Sequence, residues 1–309
     1  MKSFSSEQSG SLLAIGSGLL YGLVGYFGIK LMDANHTIAN MQFWRFFISS
    51  VFVLIFILKQ SKRLNDSAKV LFKIFIFGGI FYSSAAGLYY IGSRYIGTGP
   101  SMVIFFIYPV FVMLINWLIF KNKISKTYYA AITIIIVGLL QLVDMSELKV
   151  DLLGIGITVL SSMSYAAYVV CSKNIQISTL GSTLMVSLGC AAACLIFAIA
   201  DNSFMVPVNI EQWSIVLAFG LFTTAIPMLL FLEAIKRISA EKGSILSVTE
   251  PIFVVIFGVL LLDEVLNMQK LIGVAIILSG ALLTIINANL IVSVLKKWLF
   301  SKTLIKSKI

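Results

Sequence analysis

The hydrophobic residues of this chain fall into long runs that are separated by short polar connections. Ten runs occupy residues 10–31, 37–58, 70–92, 97–120, 127–144, 152–172, 180–200, 212–235, 239–262 and 270–291. A helix crosses a bilayer core about 30 Å thick with roughly 20 apolar residues. The runs are too long for membrane strands and lack the alternation of such strands. The pattern therefore predicts an all-α integral membrane protein with ten transmembrane helices, which we number spans 1 to 10.

The composition excludes several other classes of protein. Apolar residues make up 59% of the 309 residues and charged residues 12%, against roughly 45–50% and about 25% in soluble domains. Three cysteines and one histidine are too few for a disulfide scaffold or for a protein-built metal, haem or iron–sulfur centre. The sequence also contains no Gly-rich phosphate-binding loop. We therefore expect no catalytic residues, no metal site, no cofactor and no enzyme activity.

The distribution of basic residues predicts the orientation in the membrane. Of the 23 Lys and Arg residues, eighteen lie in the N-terminus, the C-terminal tail and the loops after spans 2, 4, 6 and 8, and four lie in the other loops. Cytoplasmic loops carry the excess of basic residues, so both termini should be cytoplasmic. The net charge of +10 then indicates contact with anionic membrane lipids rather than nucleic acid. A bacterial inner membrane is the default location, and the oligomeric state stays open.

The two halves of the chain match each other when one is shifted along the other. The matched pairs are Pro109 with Pro251 and Gly138 with Gly280 at a shift of 142 residues, and Tyr21 with Tyr165 at a shift of 144. Each half then holds five helices, so the second half enters the membrane from the opposite side. This predicts a 5+5 inverted repeat with units at residues 1–146 and 147–292, followed by a basic cytoplasmic tail at 293–309.

Residues 239–285, which read "SAEKGSILSVTEPIFVVIFGVLLLDEVLNMQKLIGVAIILSGALLTI", resemble the EamA domain of the drug/metabolite transporter superfamily. That family has a small-residue start, a mid-helix proline, an acidic helix end and a Gly-rich last helix. Residues 97–143 are similar to a weaker copy, with Lys121–Asn122 where the second copy has Asp263–Glu264. The resemblance implies two EamA repeats and carrier-type transport of small metabolites or amino acids, often outward. It implies no single substrate, and any role of the acidic pair cannot be twofold symmetric.

The two matched prolines mark spans 4 and 9 as interrupted helices. Pro109 and Pro251 each lack an amide proton and each free a carbonyl near the middle of a span. In inverted-repeat carriers the substrate site lies beside such interruptions. We therefore predict that both prolines are hinges of helices that line the pathway; the alternative is a packing kink without contact to substrate.

Two charged residues lie deep inside the spans, well away from the span ends. Glu250 directly precedes Pro251 and lies close to the bilayer midplane, where a charge is costly unless it is paired or functional. It is the candidate for proton coupling or for contact with a cationic group, and a paired structural role is the alternative. Arg45 in span 2 suits carboxylate recognition. It could instead pair with Glu250 or extend its side chain to the membrane interface.

Aromatic side chains supply the remaining candidates for the cavity wall. These are Tyr21, Tyr82, Tyr108 and Tyr165, of which Tyr108 matches Glu250 in the other repeat. Packing between helices, or an interfacial position for tyrosines near span ends such as Tyr89 and Tyr90, is the alternative explanation.

The sequence therefore predicts a secondary transporter that moves a small polar or zwitterionic, amino-acid-like metabolite by alternating access. Export is the favoured direction, with a solute gradient or protons as the energy source. One alternative is an uptake carrier for a cationic, choline-like or a nucleoside-like nutrient, because tyrosines bind quaternary ammonium groups. Another is a membrane scaffold or sensor that transports nothing.

The orientation can be tested with single cysteines in a variant without the three native ones. Cysteine at Ser61 or Ser301 should resist an impermeant thiol reagent added to intact cells, because both positions lie in the basic, cytoplasmic segments. Cysteine at Ser203 should react. A reactive Ser61 position together with a protected Ser203 position would reverse the orientation.

Overall fold

The structure is a computed structural model that describes residues 5–59, 65–143, 151–262 and 265–285. Within these ranges the regular elements are all helical. The predicted boundary between the units at 146/147, the pair Asp263–Glu264 and the basic tail lie outside the described residues.

The helices follow the ten predicted spans. Span 1 contains α1 (Ser6–Tyr21) and α2 (Val24–Asp33), span 2 is α3 (Ile38–Lys59), span 3 is α4 (Ala68–Ile96), span 4 contains α5 (Thr98–Phe105) and α6 (Tyr108–Phe120), and span 5 is α7 (Lys126–Leu142). Span 6 is α8 (Leu152–Asn174), span 7 is α9 (Thr179–Ala200), span 8 contains α10 (Ile210–Gly220), a π-helical turn (Leu221–Ala225) and α11 (Ile226–Arg237), span 9 contains α12 (Ala240–Ser247) and α13 (Glu250–Leu261), and span 10 is α14 (Met268–Ile285). In the described part of the chain, nine spans are long and apolar enough to cross a membrane, and α7 is a shorter apolar helix. The prediction of an all-α protein with ten spans is confirmed.

Short polar residues fix where several of these helices begin. A side-chain oxygen accepts a hydrogen bond from a backbone amide in the first turn of α4, α7, α8, α9 and α12; the residues are Ser67, Ser125, Asp151, Ser178 and Ser239. Such caps satisfy amides that have no partner within the helix. Each of these caps therefore gives one first-turn amide a partner where the chain enters the next span.

The two halves of the chain pack into each other rather than side by side. The most extensive helix contacts join α4 to α8, α7 to α14, α3 to α9, α4 to α9 and α1 to α11, and each of these pairs takes one helix from each half. The contact of span 3 with span 6 corresponds to that of span 8 with span 1 under exchange of the halves. The five-helix units are thus sequence repeats that share one interleaved core.

Two hydrogen bonds show the same exchange at the level of atoms. The Ser161 hydroxyl in span 6 donates to the carbonyl of Ala85 in span 3, at 2.5 Å. The Ser17 hydroxyl in span 1 donates to the carbonyl of Pro227 in span 8, at 2.8 Å. Ser17 and Ser161 are 144 residues apart, and Ala85 and Pro227 are 142 apart, as in the sequence repeat. The pair of bonds supports the two-fold pseudosymmetry of an inverted repeat.

Close backbone contact between α4 and α9 gives a test of this packing. A Cβ atom on Gly79 would lie 2.8 Å from the Cα atom of Gly189, whereas one on Gly87, in the same helix, would meet nothing within 4 Å. Gly79→Ala should therefore destabilise the protein by about 1–3 kcal/mol through overpacking. Gly87→Ala should be neutral or stabilising, because alanine is the better helix former. Thermal unfolding of the detergent-solubilised variants measures both, and equal melting temperatures would contradict the packing.

Candidate functional site

Spans 4 and 9 are broken at equivalent places. The helix of span 4 stops at Phe105 and resumes at Tyr108, and that of span 9 stops at Ser247 and resumes at Glu250. Pro109 and Pro251 lie in the first turns of the resumed helices, where a missing amide proton does no harm. The interruptions predicted from the prolines are present, and their use as hinges remains a prediction.

The carbonyl that Pro109 leaves without its usual partner is bonded from the other repeat. Pro109 has no N–H for the carbonyl of Phe105, four residues before it, and the Ser162 hydroxyl of α8 donates to that oxygen at 2.9 Å. The equivalent of Ser162 in the first repeat is Gly18. A Cβ atom there would approach Thr249 Oγ1 to 3.0 Å, so the glycine lets α1 lie directly against the break in span 9.

A cavity of about 470 Å³ lies beside the two breaks. All six side chains that the sequence suggested for a binding site line it, namely Tyr21, Arg45, Tyr82, Tyr108, Tyr165 and Glu250. We call the side of the bundle where α1 begins the N-terminal side and the opposite one the far side. The cavity runs from the breaks toward the far side, since its wall includes Met32, Thr98, Val143 and Lys270 near the far ends of their spans.

The tyrosines form one aromatic cluster at the bottom of the cavity. The ring of Tyr165 meets that of Tyr108 edge-to-face at 4.7 Å and that of Tyr82 at 5.6 Å. The Tyr82 hydroxyl donates to the Tyr21 hydroxyl at 3.3 Å. Edge-to-face packing of this kind stabilises aromatic pairs and fixes the ring orientations. The cluster therefore gives the cavity a rigid apolar floor with hydroxyl groups at its edge.

Arg45 is held by uncharged groups of span 8 and of its own helix. Its side chain is 5% exposed, so it does not extend to the membrane interface. Its Nε donates to Thr224 Oγ1 at 2.7 Å, one terminal nitrogen to the Thr223 carbonyl at 2.9 Å, and the other to Gln42 Oε1 at 3.3 Å. Among the described residues, no carboxylate pairs with it. The interfacial alternative for Arg45 is thus wrong, and the suggested ion pair with Glu250 does not form here.

Pro227 explains why span 8 offers oxygens to Arg45. This proline cannot donate to the carbonyl of Thr223, four residues earlier. The π-helical turn at Leu221–Ala225 precedes it, and such turns often occur at functional sites. The Thr223 carbonyl, deprived of its helical donor, accepts from Arg45 instead.

Glu250 faces the same cavity from the other repeat. It is the first residue of α13 and is half-buried. In the part of the chain that the structure describes, its carboxylate has no hydrogen-bond donor and no ion-pair partner within reach, although the charge of Arg45 acts on it. A carboxylate in this position is available to a solute or a proton.

The cavity is closed on the N-terminal side by α12, whose eight residues are all buried. The Asn116 amide donates to Glu241 Oε1 at 2.5 Å, and Lys242 pairs with Glu7 at 2.6 Å. The Tyr108 hydroxyl donates to the carbonyl of Ser244 at 3.0 Å. The equivalent helix α5, near the far side, lines the open part of the cavity instead. The structure is therefore closed toward the N-terminal side and open toward the far side.

A separate polar cluster joins two loops on the far side. The Asn40 side chain contacts the His36 ring at 2.7 Å and bonds the backbone of Met205 as donor and as acceptor, at 3.0 and 3.2 Å. Burial lowers the pKa of the His36 imidazole, which favours its neutral form. The cluster fastens the connection between spans 7 and 8 to that between spans 1 and 2, and it lies outside the cavity wall.

Comparison with known proteins assigns this architecture to a family. The model of the EamA-like transporter family matches residues 8–143 and again residues 152–286. The chain belongs to the EamA-like transporter family. The family resemblance and the division into two EamA repeats, both expected from the sequence, are thereby confirmed.

Individual relatives of the EamA-like family agree with this assignment. An uncharacterized transporter from Archaeoglobus fulgidus is 25% identical over 91% of this chain and 97% of its own length. The uncharacterized transporter YcbK of Bacillus subtilis is 25% identical over 60% of this chain and 62% of YcbK. A protein of known crystal structure superposes with a TM-score of 0.76 at 16% identity, over 89% of this chain and 96% of that one, which shows the fold alone.

The structure adds one cavity residue and two closing contacts that the sequence pattern did not single out. Gln42 lines the cavity, and Glu241 and Lys242 close it on the N-terminal side. Tyr89 and Tyr90, for which the sequence left the cavity and the interface open, also line the cavity. The position of Gln42 one helical turn before Arg45 was the available signal, because residues three apart share a helix face.

The breaks in spans 4 and 9 make the proposed hinge role of Pro109 and Pro251 testable. Pro109→Ala and Pro251→Ala each restore a backbone donor and remove a ring clash, which should straighten spans 4 and 9. We expect near-normal expression and strongly reduced solute flux. Pro100→Ala is the matched control, because α5 follows the connection between spans 3 and 4, so no helix of the same span precedes Pro100 and none can be straightened onto it. Unchanged flux in both hinge variants would show that the breaks serve packing only.

Proposed function

We propose that this EamA-like protein is a secondary carrier, not an enzyme, that moves a small zwitterionic, amino-acid-like solute by alternating access. The observation that carries the proposal is the presence of both Arg45 and Glu250 in the wall of one cavity. They have opposite charge, face one cavity and have no charged partner within ion-pair distance among the described residues. Each charge is costly inside a membrane protein unless it is used.

The chemistry of the cavity fits such a solute. Arg45 suits a carboxylate and Glu250 an ammonium group, so a zwitterion would neutralise both at once. The remaining wall is mainly apolar and aromatic, with room for a short side chain. A volume of about 470 Å³ lies within the range of roughly 300–1,000 Å³ that is typical of small-molecule sites.

The distribution of basic residues supports a direction. If both termini are cytoplasmic, as the loops indicate, the cavity of this structure opens away from the cytoplasm, toward the outside of a bacterial inner membrane. Exchange of the roles of α5 and α12 would open it to the cytoplasm, because the two helices are repeat equivalents. In the export cycle that we propose, this structure corresponds to the state after the solute has left.

Glu250 gives the carrier a means of coupling to protons. In the outward-open state its carboxylate can take up a proton when no ammonium group neutralises it. Return of the protonated carrier and release of the proton to the cytoplasm would drive net export. A carrier without this step would equilibrate its solute and depend on the solute gradient.

A second candidate function is uptake of a cationic, choline-like solute. The four clustered tyrosine rings near Glu250 favour it, because ring faces attract quaternary ammonium groups by about 0.5–2 kcal/mol. Arg45 counts against a solute without a carboxylate. Counterflow in proteoliposomes with the twenty L-amino acids and with choline separates the two, and the absence of any flux would favour a scaffold or sensor.

Glu250→Gln tests the proposed function. The substitution keeps the shape of the side chain and removes its titration. The variant should lose solute accumulation driven by a pH gradient, because it cannot carry a proton. It should retain solute–solute exchange at saturating solute, with a raised half-saturation concentration because the ammonium group loses its charged partner. Glu233→Gln is the matched control: Glu233 pairs with Arg237 at the end of span 8, and its loss should leave coupling intact.

Each other outcome has a defined meaning. An unchanged half-saturation concentration for exchange would show that Glu250 does not bind the ammonium group, and that contact would leave the proposal. Full gradient-driven accumulation by the Glu250 variant would remove proton coupling from the proposal.

A further inference from the structure

Gln42 presents an unused hydrogen-bond donor at the wall of the cavity. It lies one turn before Arg45 on α3, is 3% exposed and belongs to the cavity lining. Its Oε1 accepts from Arg45 at 3.3 Å, while its Nε2 has no acceptor among the described residues. Buried polar groups are nearly always paired. An orphan donor beside a binding cavity therefore indicates a partner that arrives with the ligand.

The orientation of the Gln42 amide follows from its neighbour. Arg45 carries only donors, so the oxygen of Gln42 must face the guanidinium and the NH₂ group must point elsewhere. The opposite orientation would place donor against donor. The unpaired Nε2 is thus a consequence of the contact with Arg45.

Arg45 has donors to spare next to this amide. A guanidinium offers five N–H groups, and the bonds to Thr224, Thr223 and Gln42 use three of them. One N–H remains on each terminal nitrogen. The rings of Phe46 and Phe219, centred 5.3 and 5.2 Å from the guanidinium carbon, restrict its movement.

We propose that Gln42 and Arg45 together form a carboxylate subsite, in which Gln42 Nε2 and the two spare Arg45 N–H groups donate to the solute's carboxylate oxygens. The proposal rests on the proposed function and adds the residue that sets its specificity. It also orients the solute, with the carboxylate toward α3 and the ammonium group toward Glu250 on α13.

The donor set selects a carboxylate over related groups. A primary carboxamide would bring its own NH₂ donor against groups that only donate here. A phosphate dianion at this subsite would meet one guanidinium charge, with the Glu250 carboxylate facing the same cavity and Lys270 near its far end. A planar carboxylate accepts from two parallel guanidinium donors and from a third neighbour without leaving a donor unpaired. The subsite therefore discriminates an amino acid from its amide.

The wild-type carrier provides the first test. Reconstituted in proteoliposomes, it should exchange at least one of the twenty L-amino acids, and the acid and its own primary carboxamide are then compared as inhibitors of that exchange. Half-maximal inhibition should require a roughly 10- to 100-fold higher concentration of the amide than of the acid, as expected for lost bonds to a charged group. Equal inhibition by acid and amide would overturn the subsite while leaving a carrier for amino acids. Failure of every amino acid to inhibit or exchange would defeat the proposed function and the subsite with it.

Variants separate Gln42 from a merely structural role. Gln42→Leu should raise the half-saturation concentration for the amino acid roughly 10- to 100-fold and should affect the amide much less. Gln42→Glu keeps an acceptor for Arg45 but removes the donor and adds a negative charge, so it should abolish carboxylate binding in correctly folded protein. A Gln42→Glu carrier with wild-type preference for the acid would show that Gln42 only positions Arg45, and the subsite would be wrong.

Gln141→Leu is the matched control for these variants. Gln141 is a half-buried glutamine of α7 that does not line the cavity. The half-saturation concentration of this variant should stay within about twofold of the wild-type value, since substitutions away from a site have small effects. If Gln42→Leu does not fold, the acid-to-amide ratio of the wild type still decides the proposal.

Discussion

A helix inside lipid must bond every backbone carbonyl within the protein, because no water is present to do so. Three prolines in this chain each deprive a carbonyl of its helical donor near the middle of a span. The carbonyl freed by Pro109 is bonded by Ser162, and the one freed by Pro227 by Arg45. Polar side chains are therefore required at mid-depth, and the interleaving of the repeats brings them from one half to the breaks of the other. The cavity lies beside these broken helices and the polar side chains that bond their carbonyls.

The fold keeps a two-fold pseudosymmetry that the site does not share. Ser17 and Ser161 make equivalent bonds, and spans 4 and 9 break at equivalent residues. At the cavity, however, Tyr108 stands where the other repeat has Glu250. At this pair of positions one repeat thus contributes an aromatic ring and the other a carboxylate. A solute that binds between them meets different chemistry on its two sides, so it can occupy one preferred orientation.

The sequence predicted the features that depend on long-range pattern. Hydropathy gave ten spans, and the repeat gave the paired breaks. It did not predict the break of span 1 at Gly22–Leu23 or the π-helical turn of span 8. At the break of span 1, Gly22 packs closely against Phe253. A local sequence pattern does not reveal this contact between distant residues. Glu241 and Lys242 were missed because their partners come from other helices.

The contacts of Arg45 could not be predicted from the sequence. From the sequence it could bind a solute, pair with Glu250 or reach the interface, since all three suit a cation in a span. The geometry excludes the interface and the ion pair, because the Thr223 carbonyl, left open by Pro227, holds the guanidinium inside the bundle and no carboxylate of the described residues lies within ion-pair distance. Arg45 thus satisfies the backbone and still keeps one unused N–H group on each terminal nitrogen. Loss of Arg45 would therefore destabilise the fold and remove the site together. The Gln42 side chain bonds no backbone group, so a substitution of Gln42 can change substrate specificity without destabilising the fold.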